Sequence, residues 1–450
     1  MKRITALAAL CGALCGLLLT SCCQSNGNQQ PAFEPIESSV VYEMNVRQQT
    51  EEGTFAAAEA RLPFLKELGV DIVWLMPIHP IGEKGRKGTL GSYYAIRDYR
   101  AINPEFGTME DFERFLKRAH ELGLRVILDY VANHTSPDAA WVTEKPAEWY
   151  VRDEKGEPVV QYDWWDIAKL NYDCADVHEE MKAVQRFWIE KGVDGFRCDV
   201  AGEMPDAFWL ASWSALRAEN PDLYFLAEGE GPNFHADGFN ACYAWPLKDV
   251  MNDIAQGKKS TSAMKDWIAD LTTRYPREAT QLMFTSNHDE NSWSGTEFER
   301  LGEAAKTFAA LTYVLPQGQP LIYTGQEYGY DHRFEFFEKD PMPAQTENEY
   351  TALYKKLNEL RHNNPALYGC GKGGELVYVT GVVEEVLAFT REVEGNKVVA
   401  LFNLSNEEQS VIPTNDIAGD YTCAMTGEKA TIVAGTEFKL PAWGYAILTK

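Results

Sequence analysis

The stretch Asp111-Phe112-Glu113-Arg114-Phe115-Leu116-Lys117-Arg118-Ala119-His120-Glu121-Leu122-Gly123-Leu124-Arg125-Val126-Ile127-Leu128-Asp129 changes its period part-way. Phe112, Phe115, Leu116, Ala119 and Leu122 recur at helical spacing, and Gly123 ends that helix. Leu124–Val131 then reads as a buried strand that closes on an acid, Asp129. The same alternation runs outward in both directions. Strands are expected near Val40–Val46, Val70–Met76, Val193–Asp199, Leu223–Glu228, Gly238–Tyr243, Gln281–Ser286 and Pro320–Tyr323. Amphipathic helices are expected at Glu59–Leu68, Met109–Leu122, Val177–Lys191, Pro205–Glu219, Thr261–Arg274, Glu299–Val314 and Glu347–Arg361. Eight strands, each followed by a helix or a helix-like stretch, imply an α/β fold of the (β/α)8 TIM-barrel type. A doubly wound sheet is the alternative, and the lack of G-x-G-x-x-G after an early strand weighs against it.

Two segments leave this rhythm. Residues 134–173 form an insert after strand three, which carries Trp141, Trp149, Trp164 and Trp165. A connection of that length is usually functional. Beyond about residue 370 the helical period disappears. Leu376–Thr380, Val386–Thr390, Val398–Leu404 and Phe438–Leu440 read as short strands of a C-terminal antiparallel β-sandwich, residues 370–450. The barrel is assigned to residues 39–365.

The start of the chain reads as an address. Lys2 and Arg3 precede an apolar run, Ile4 to Leu19, too short for a comfortable membrane span. The run ends in Leu19-Thr20-Ser21-Cys22. This resembles a bacterial lipobox, so residues 1–22 are expected to be a lipoprotein signal with Cys22 the lipidated residue. Residues 23–38, rich in Gln and Asn, are expected to be a flexible tether. The expected location is the bacterial cell envelope, with membrane contact through the lipid alone.

Composition narrows the partners. The 450 residues carry a formal net charge of −25, which argues against nucleic acid or an anionic membrane surface. It leaves a neutral substrate, such as a sugar, open. The six cysteines outside the signal and lipobox form no C-x-x-C pair and no zinc spacing, and suggest no disulfide framework.

In a barrel of this kind the site lies at the C-terminal strand ends. Strand three closes on Asp129, followed by Asn133 and His134; strand four on Arg197-Cys198-Asp199; strand five on Glu228; strand seven on Asn287-His288-Asp289. Two carboxyl groups flanking an acetal suffice to cleave a glycosidic bond. Arg197 and Asp199 leave their strand on one face, so the guanidinium is expected to keep Asp199 ionised, as a nucleophile must be. Burial and the neighbouring Asp289 are expected to keep Glu228 protonated.

These residues resemble the α-amylase family of glycoside hydrolases. Asp129-Tyr130-Val131-Ala132-Asn133-His134, Gly195-Phe196-Arg197-Cys198-Asp199, Glu228 and Phe284-Thr285-Ser286-Asn287-His288-Asp289 match four ordered family segments. Gly69 to Pro77, Tyr94-x-x-x-Asp98-Tyr99, and Asn103-Pro104-x-Phe106-Gly107-Thr108 support them. The insert is similar to that family's domain B and the final sandwich to its domain C. The resemblance implies a retaining hydrolase of α-linked glucans, with Asp199 as nucleophile, Glu228 as acid/base and Asp289 stabilising the transition state. It implies that Arg197, His134 and His288 hold the sugar at the cleavage point, that Tyr94 stacks beneath it, and that Asp129 contacts a neighbouring hydroxyl or buttresses Arg197. Trp74 reads as packing beside the site.

The match departs after the nucleophile. Many members carry Lys-His or a lone His there, and this chain has Gly202 and Glu203. The chemistry needs no cofactor. A structural calcium held through Asn133, with help from Asp163, Asp166 or Asp173, is one reading, and anchoring of the insert by hydrogen bonds from Asn133 is the other. A transglycosylase or glucan isomerase would use the same acids. A non-catalytic glycan-binding lipoprotein is the alternative of another class.

Overall fold

The computed structural model describes residues 32–414 and 417–450. The signal, Cys22 and the first part of the expected tether lie outside the described residues. Eight parallel strands close a barrel: β1 (Val41–Met44), β2 (Ile72–Leu75), β3 (Arg125–Tyr130), β4 (Gly195–Cys198), β5 (Tyr224–Ala227), β6 (Ala241–Tyr243), β7 (Gln281–Met283) and β8 (Gly318–Tyr323). Each pairs with its sequence neighbours, and β8 closes onto β1 with Val41 opposite Leu321. The helix Met109–Glu121 shows how the sequence punctuates this pattern. Thr108 caps it in a reciprocal capping box with Asp111, and Phe112, Phe115, Leu116 and Ala119 are buried.

Alternate residues of each strand point into the barrel. Val41, Ile72, Trp74, Ile127, Tyr224, Leu226, Ala241, Tyr243, Leu282 and Leu321 form one buried interior cluster. The same parity carries Glu43, Asp129 and Arg197 inward, one layer nearer the mouth. The outward residues, among them Tyr42, Val73, Val126 and Phe225, pack against the helices.

Several expectations need correction. The tether cannot extend to residue 38, because its described part is packed. Arg125 Nη1 donates to Glu34 O at 2.5 Å, Arg361 Nη2 donates to Glu37 O at 2.7 Å, and Ser38 and Ser39 are fully buried. Residues 32–39 therefore form a strap across the N-terminal ends of the strands. Strand seven stops at Met283, three residues short of its expected end. The helix expected at Glu299–Val314 is divided at Gly302, whose φ of +55° breaks it into Glu297–Leu301 and Ala305–Val314. The helix Trp245–Ala255 was not anticipated.

The insert is held to the barrel by a two-stranded ladder, His134–Thr135 with Ala168–Lys169. The C-terminal region is a six-stranded antiparallel sheet covered by a two-stranded one. Its strands Val386–Val393 and Asn396–Asn403 alternate faces: Leu387, Phe389, Ala400 and Phe402 join the main core, and Val386, Ala388, Val399 and Leu401 join a separate sandwich core. Among the described residues, Cys174, Cys198, Cys242, Cys370 and Cys423 are free thiols.

Candidate active site

Arg197 organises the mouth of the barrel. It is fully buried, and its Nη1 donates to Asp129 Oδ1 and Oδ2 at 2.9 and 3.1 Å and to Asp199 Oδ1 at 3.1 Å. Its Nη2 lies 3.0 Å from Glu228 Oε2, an ion-pair contact without hydrogen-bond alignment. Nε donates to the Tyr243 hydroxyl at 3.2 Å, and the rings of Trp74, Tyr94 and Tyr243 surround the guanidinium at 4.9 to 5.8 Å. Of the two roles open to Asp129, buttressing Arg197 is the contact observed. Trp74 is fully buried and donates from Nε1 to Asp129 Oδ2 at 3.2 Å, so it packs behind the site.

Glu228 is placed by the backbone as well. Val200 N–H donates to Glu228 Oε2 at 2.7 Å. Val200 reaches that position at φ +38° and ψ +49°, a conformation a β-branched residue rarely adopts. Local strain of this kind gathers at functional sites, and here it aims an N–H at the acid.

A second cationic group stands opposite. His288 Nδ1 is 2.5 Å from the fully buried Glu43 Oε1, and its Nε2 is 2.8 Å from the Tyr94 hydroxyl and 3.3 Å from Asp289 Oδ2. Burial works against its charge, but Asp289 and Glu43 outweigh it and raise its pKa to about 9. Tyr94 stacks on the His288 ring, with centroids 5.5 Å apart, and donates to Asp129 Oδ2 at 3.0 Å. His134 behaves oppositely: burial lowers its pKa to about 4, against a backbone contact with Tyr94 that works to raise it.

Five carboxyl groups (Glu43, Asp129, Asp199, Glu228 and Asp289) thus face two cations, Arg197 and His288. The excess shows on Asp199. Burial and the Glu228 carboxylate push its carboxyl well above the usual range, against the pull of Arg197. This corrects the expectation that the Arg197 guanidinium keeps Asp199 ionised. In the site without substrate, the guanidinium is shared with Asp129 and Glu228, and like-charge crowding prevails.

Tyr94, His134, Asp199, Glu228, His288 and Asp289 line one cavity of about 350 Å³. Sequence reasoning missed Glu43 and Tyr243. The signal for both was strand parity, since Glu43 shares the inward face of Val41, and Tyr243 that of Ala241. On the leaving-group side, Glu203 accepts from the Tyr162 hydroxyl at 2.6 Å and from Lys169 Nζ at 3.3 Å. The Tyr162 hydrogen bond holds its carboxyl below the ordinary value.

Around Asn133 the contacts are hydrogen bonds and an ion pair. Asn133 Nδ2 donates to Gln161 Oε1 at 2.7 Å and to His134 Nδ1 at 3.1 Å. Asp166 is ion-paired with Lys87 Nζ at 3.3 Å. Among the described residues, no three His, Cys, Asp or Glu side chains converge as metal ligands. The contact observed between Asn133 and the insert is a hydrogen bond.

Residues 24–158 and 145–348 match the family model described as alpha amylase, catalytic domain. The chain belongs to the α-amylase family. Among its relatives in that family, a solved α-amylase from Lactobacillus plantarum is 33% identical, with a TM-score of 0.81 over 92% of this chain and 99% of that one. A maltogenic α-amylase, AmyB, from Thermotoga neapolitana is 30% identical, with a TM-score of 0.84 over the same shares. α-Amylase MalA of Haloarcula japonica is 28% identical over 90% of this chain, which spans 62% of that protein's length.

Proposed function

We propose that this protein is a retaining glycoside hydrolase that cleaves α-glucosidic bonds in starch-type glucans or maltooligosaccharides. The observation that carries the reading is the convergence of Asp199 and Glu228 on one buried arginine, with Asp289 at the rim of the same cavity. The names of the relatives support the substrate class. In the reaction, Asp199 attacks the anomeric carbon as Glu228 gives its proton to the leaving oxygen. The resulting ester carries one glycosyl unit. Glu228 then takes a proton from water as the water oxygen attacks the anomeric carbon and releases Asp199.

The raised Asp199 carboxyl fits this cycle. Asp199 and Glu228 share the Arg197 guanidinium, so the charge on one carboxyl bears on the other. A bound acetal oxygen next to Glu228 offers its proton an acceptor, and the guanidinium of Arg197 is then free to favour the Asp199 anion. Asp289 and the His288 imidazolium meet the hydroxyls of the same sugar, and the His134 ring on the cavity wall supplies a further polar contact. Tyr94 offers its ring as the floor.

Replacing the acid tests this assignment. Glu228→Gln should lose several powers of ten on maltooligosaccharides and far less on α-glucosyl fluoride, whose leaving group needs little protonation. Equal losses on both would remove Glu228 from the role of acid.

The protein is further read as a lipid-anchored member of a bacterial envelope. The strap at residues 32–39 supports an anchor at the barrel base, which would turn the cleft away from the membrane. Cys22→Ala should abolish labelling by radioactive fatty acid; a wild-type protein that takes no label would refute the anchor.

A further inference from the structure

The loop between β2 and the helix Met109–Glu121 contains Gly82-Glu83-Lys84-Gly85-Arg86-Lys87-Gly88-Thr89-Leu90-Gly91-Ser92. Its glycines allow two close approaches. At Gly85 (φ +75°) a Cβ would stand 2.9 Å from Trp165 O, and at Gly88 (φ +62°) 2.5 Å from Phe337 Cβ. The loop is therefore pressed against the insert on one side and against the loop after β8 on the other.

Polar contacts fasten both ends. Lys87 Nζ pairs with Asp166 Oδ1 at 3.3 Å, lies 3.4 Å from Asp163 O, and sits 4.5 Å over the Trp165 ring. Thr89 N donates to Glu338 Oε1 at 2.7 Å, and Leu90 N to Phe337 O at 3.0 Å. Trp164, Asp166, Lys87 and Phe337 all line the catalytic cavity. Together they make a continuous wall from the insert to the β8 loop.

The position of this wall gives it a chemical meaning. In the closed strand order, β5 with Glu228 lies across the barrel from β1, and the loop spans the mouth above β1 and β2. Glu228 must face the leaving group. In a 1,4-linked glucan the ring's C1 and C4 are at opposite ends, so C4 of the sugar being cleaved points away from Glu228, towards the wall. One further observation marks the wall as a binding surface. Asp166 is 3% exposed, and its Oδ2 is buried without a hydrogen-bond partner. A buried carboxylate oxygen without a partner calls for an explanation, and a small turn of the Asp166 side chain, which lines the cavity, would offer it to a hydroxyl.

We propose that Lys87 and Asp166 form a stop that reads the free hydroxyls of a non-reducing chain end, so that the enzyme acts from that end and releases short products. The cavity of about 350 Å³ is near the lower bound of ligand sites, and leaves room for about one or two glucosyl units. The proposal deepens the hydrolase reading above and rests on it.

The test uses maltoheptaose labelled at its reducing end, either free or capped by a 4,6-O-ethylidene group at its non-reducing end, with products resolved by chromatography. The free substrate should shorten stepwise from the unlabelled end. The capped one should react roughly 100-fold more slowly or worse, because a site built for hydroxyls rejects their replacement. Lys87→Ala should raise KM on the free substrate about tenfold with little change in kcat, and should speed cleavage of the capped one, with Lys87→Arg restoring the wild-type discrimination. Equal wild-type rates on both substrates, with labelled fragments of every length from the start, would overturn the stop and leave the hydrolase reading intact. Cleavage of neither would overturn both.

Discussion

Two fully buried arginines stand at opposite ends of the barrel and are held in opposite ways. Arg197, at the mouth, is met by the carboxyl groups of Asp129, Asp199 and Glu228. Arg391, at the base, donates only to backbone carbonyls: Gly374, Val314, Leu315, Leu367 and Tyr368. Burial lowers the pKa of Arg391, with no carboxylate to oppose it. Arg361 beside it likewise donates to Leu367 O, Glu37 O and Gly318 O. At the base, guanidinium groups satisfy the chain ends of helices and turns and bind the sandwich to the barrel. At the mouth, the guanidinium sits among more negative groups than it can neutralise. At the base the buried charge is met by carbonyl dipoles alone, and at the mouth it is met by acids that can exchange protons in a reaction.

The largest expected effect follows directly. Asp199→Asn should lower kcat by about 10⁴-fold or more, since residues acting as a unit fail together. The same variant should melt higher than wild type at neutral pH. A carboxyl whose folded pKa is raised weakens the fold as pH climbs past its unfolded value, and the amide removes that repulsion. Arg391→Met should do the reverse. Leaving several buried carbonyls unpaired should cost on the order of 3 kcal/mol, with kcat nearly unchanged. Thermal melts and initial rates on both variants check the contrast, and an Arg391→Met enzyme with normal stability would break it.

A smaller effect concerns His288, which is faced by Glu43 from β1, Tyr94 from the loop after β2, Asp129 from β3, Arg197 from β4 and Asp289 beside it. Because its pKa is raised to about 9, the stability it contributes is complete below its unfolded value and is lost as pH rises through about 9. Glu43→Gln weakens that hold, so the alkaline fall in both melting temperature and kcat/KM should move to lower pH. An alkaline limb that stays in place would show that Glu43 has only a packing role. The smallest expected effect is that of a chelator. With Asn133 bonded to Gln161, removing divalent cations should leave the melting temperature where it was; a fall reversed by calcium would contradict the hydrogen-bonded reading.

The contrast between mouth and base also explains what could be read from the sequence. Runs such as Val126 to Leu128 closing on Asp129 announce a strand and its polar end together, so the order of the barrel and the acids at its mouth were legible. Glu43 was not, because an acid inside Val41 to Met44 looks like an outward residue until strand parity is counted from the barrel's closure. The departures at the base have a similar cause. Phe33 and Ile36 look like tether residues, yet Phe33 meets the His120 ring at 5.6 Å and Ile36 packs against the interior cluster of the barrel, contacts made only in the folded barrel. The helix Trp245–Ala255 was obscured by Pro246, which suits a first helical turn as well as a loop. Sandwich strands such as Lys429–Ile432 are short and half exposed, and their polar residues gave no period to count.

The central claim is that Asp199 forms a covalent glycosyl bond and Glu228 manages the proton. Proton NMR of the product in its first moments, before mutarotation, tests this most directly. Two inversions at the anomeric carbon predict that the newly exposed reducing end carries the α configuration. A β product would mean that water attacks in a single step, and would contradict the role given to Asp199.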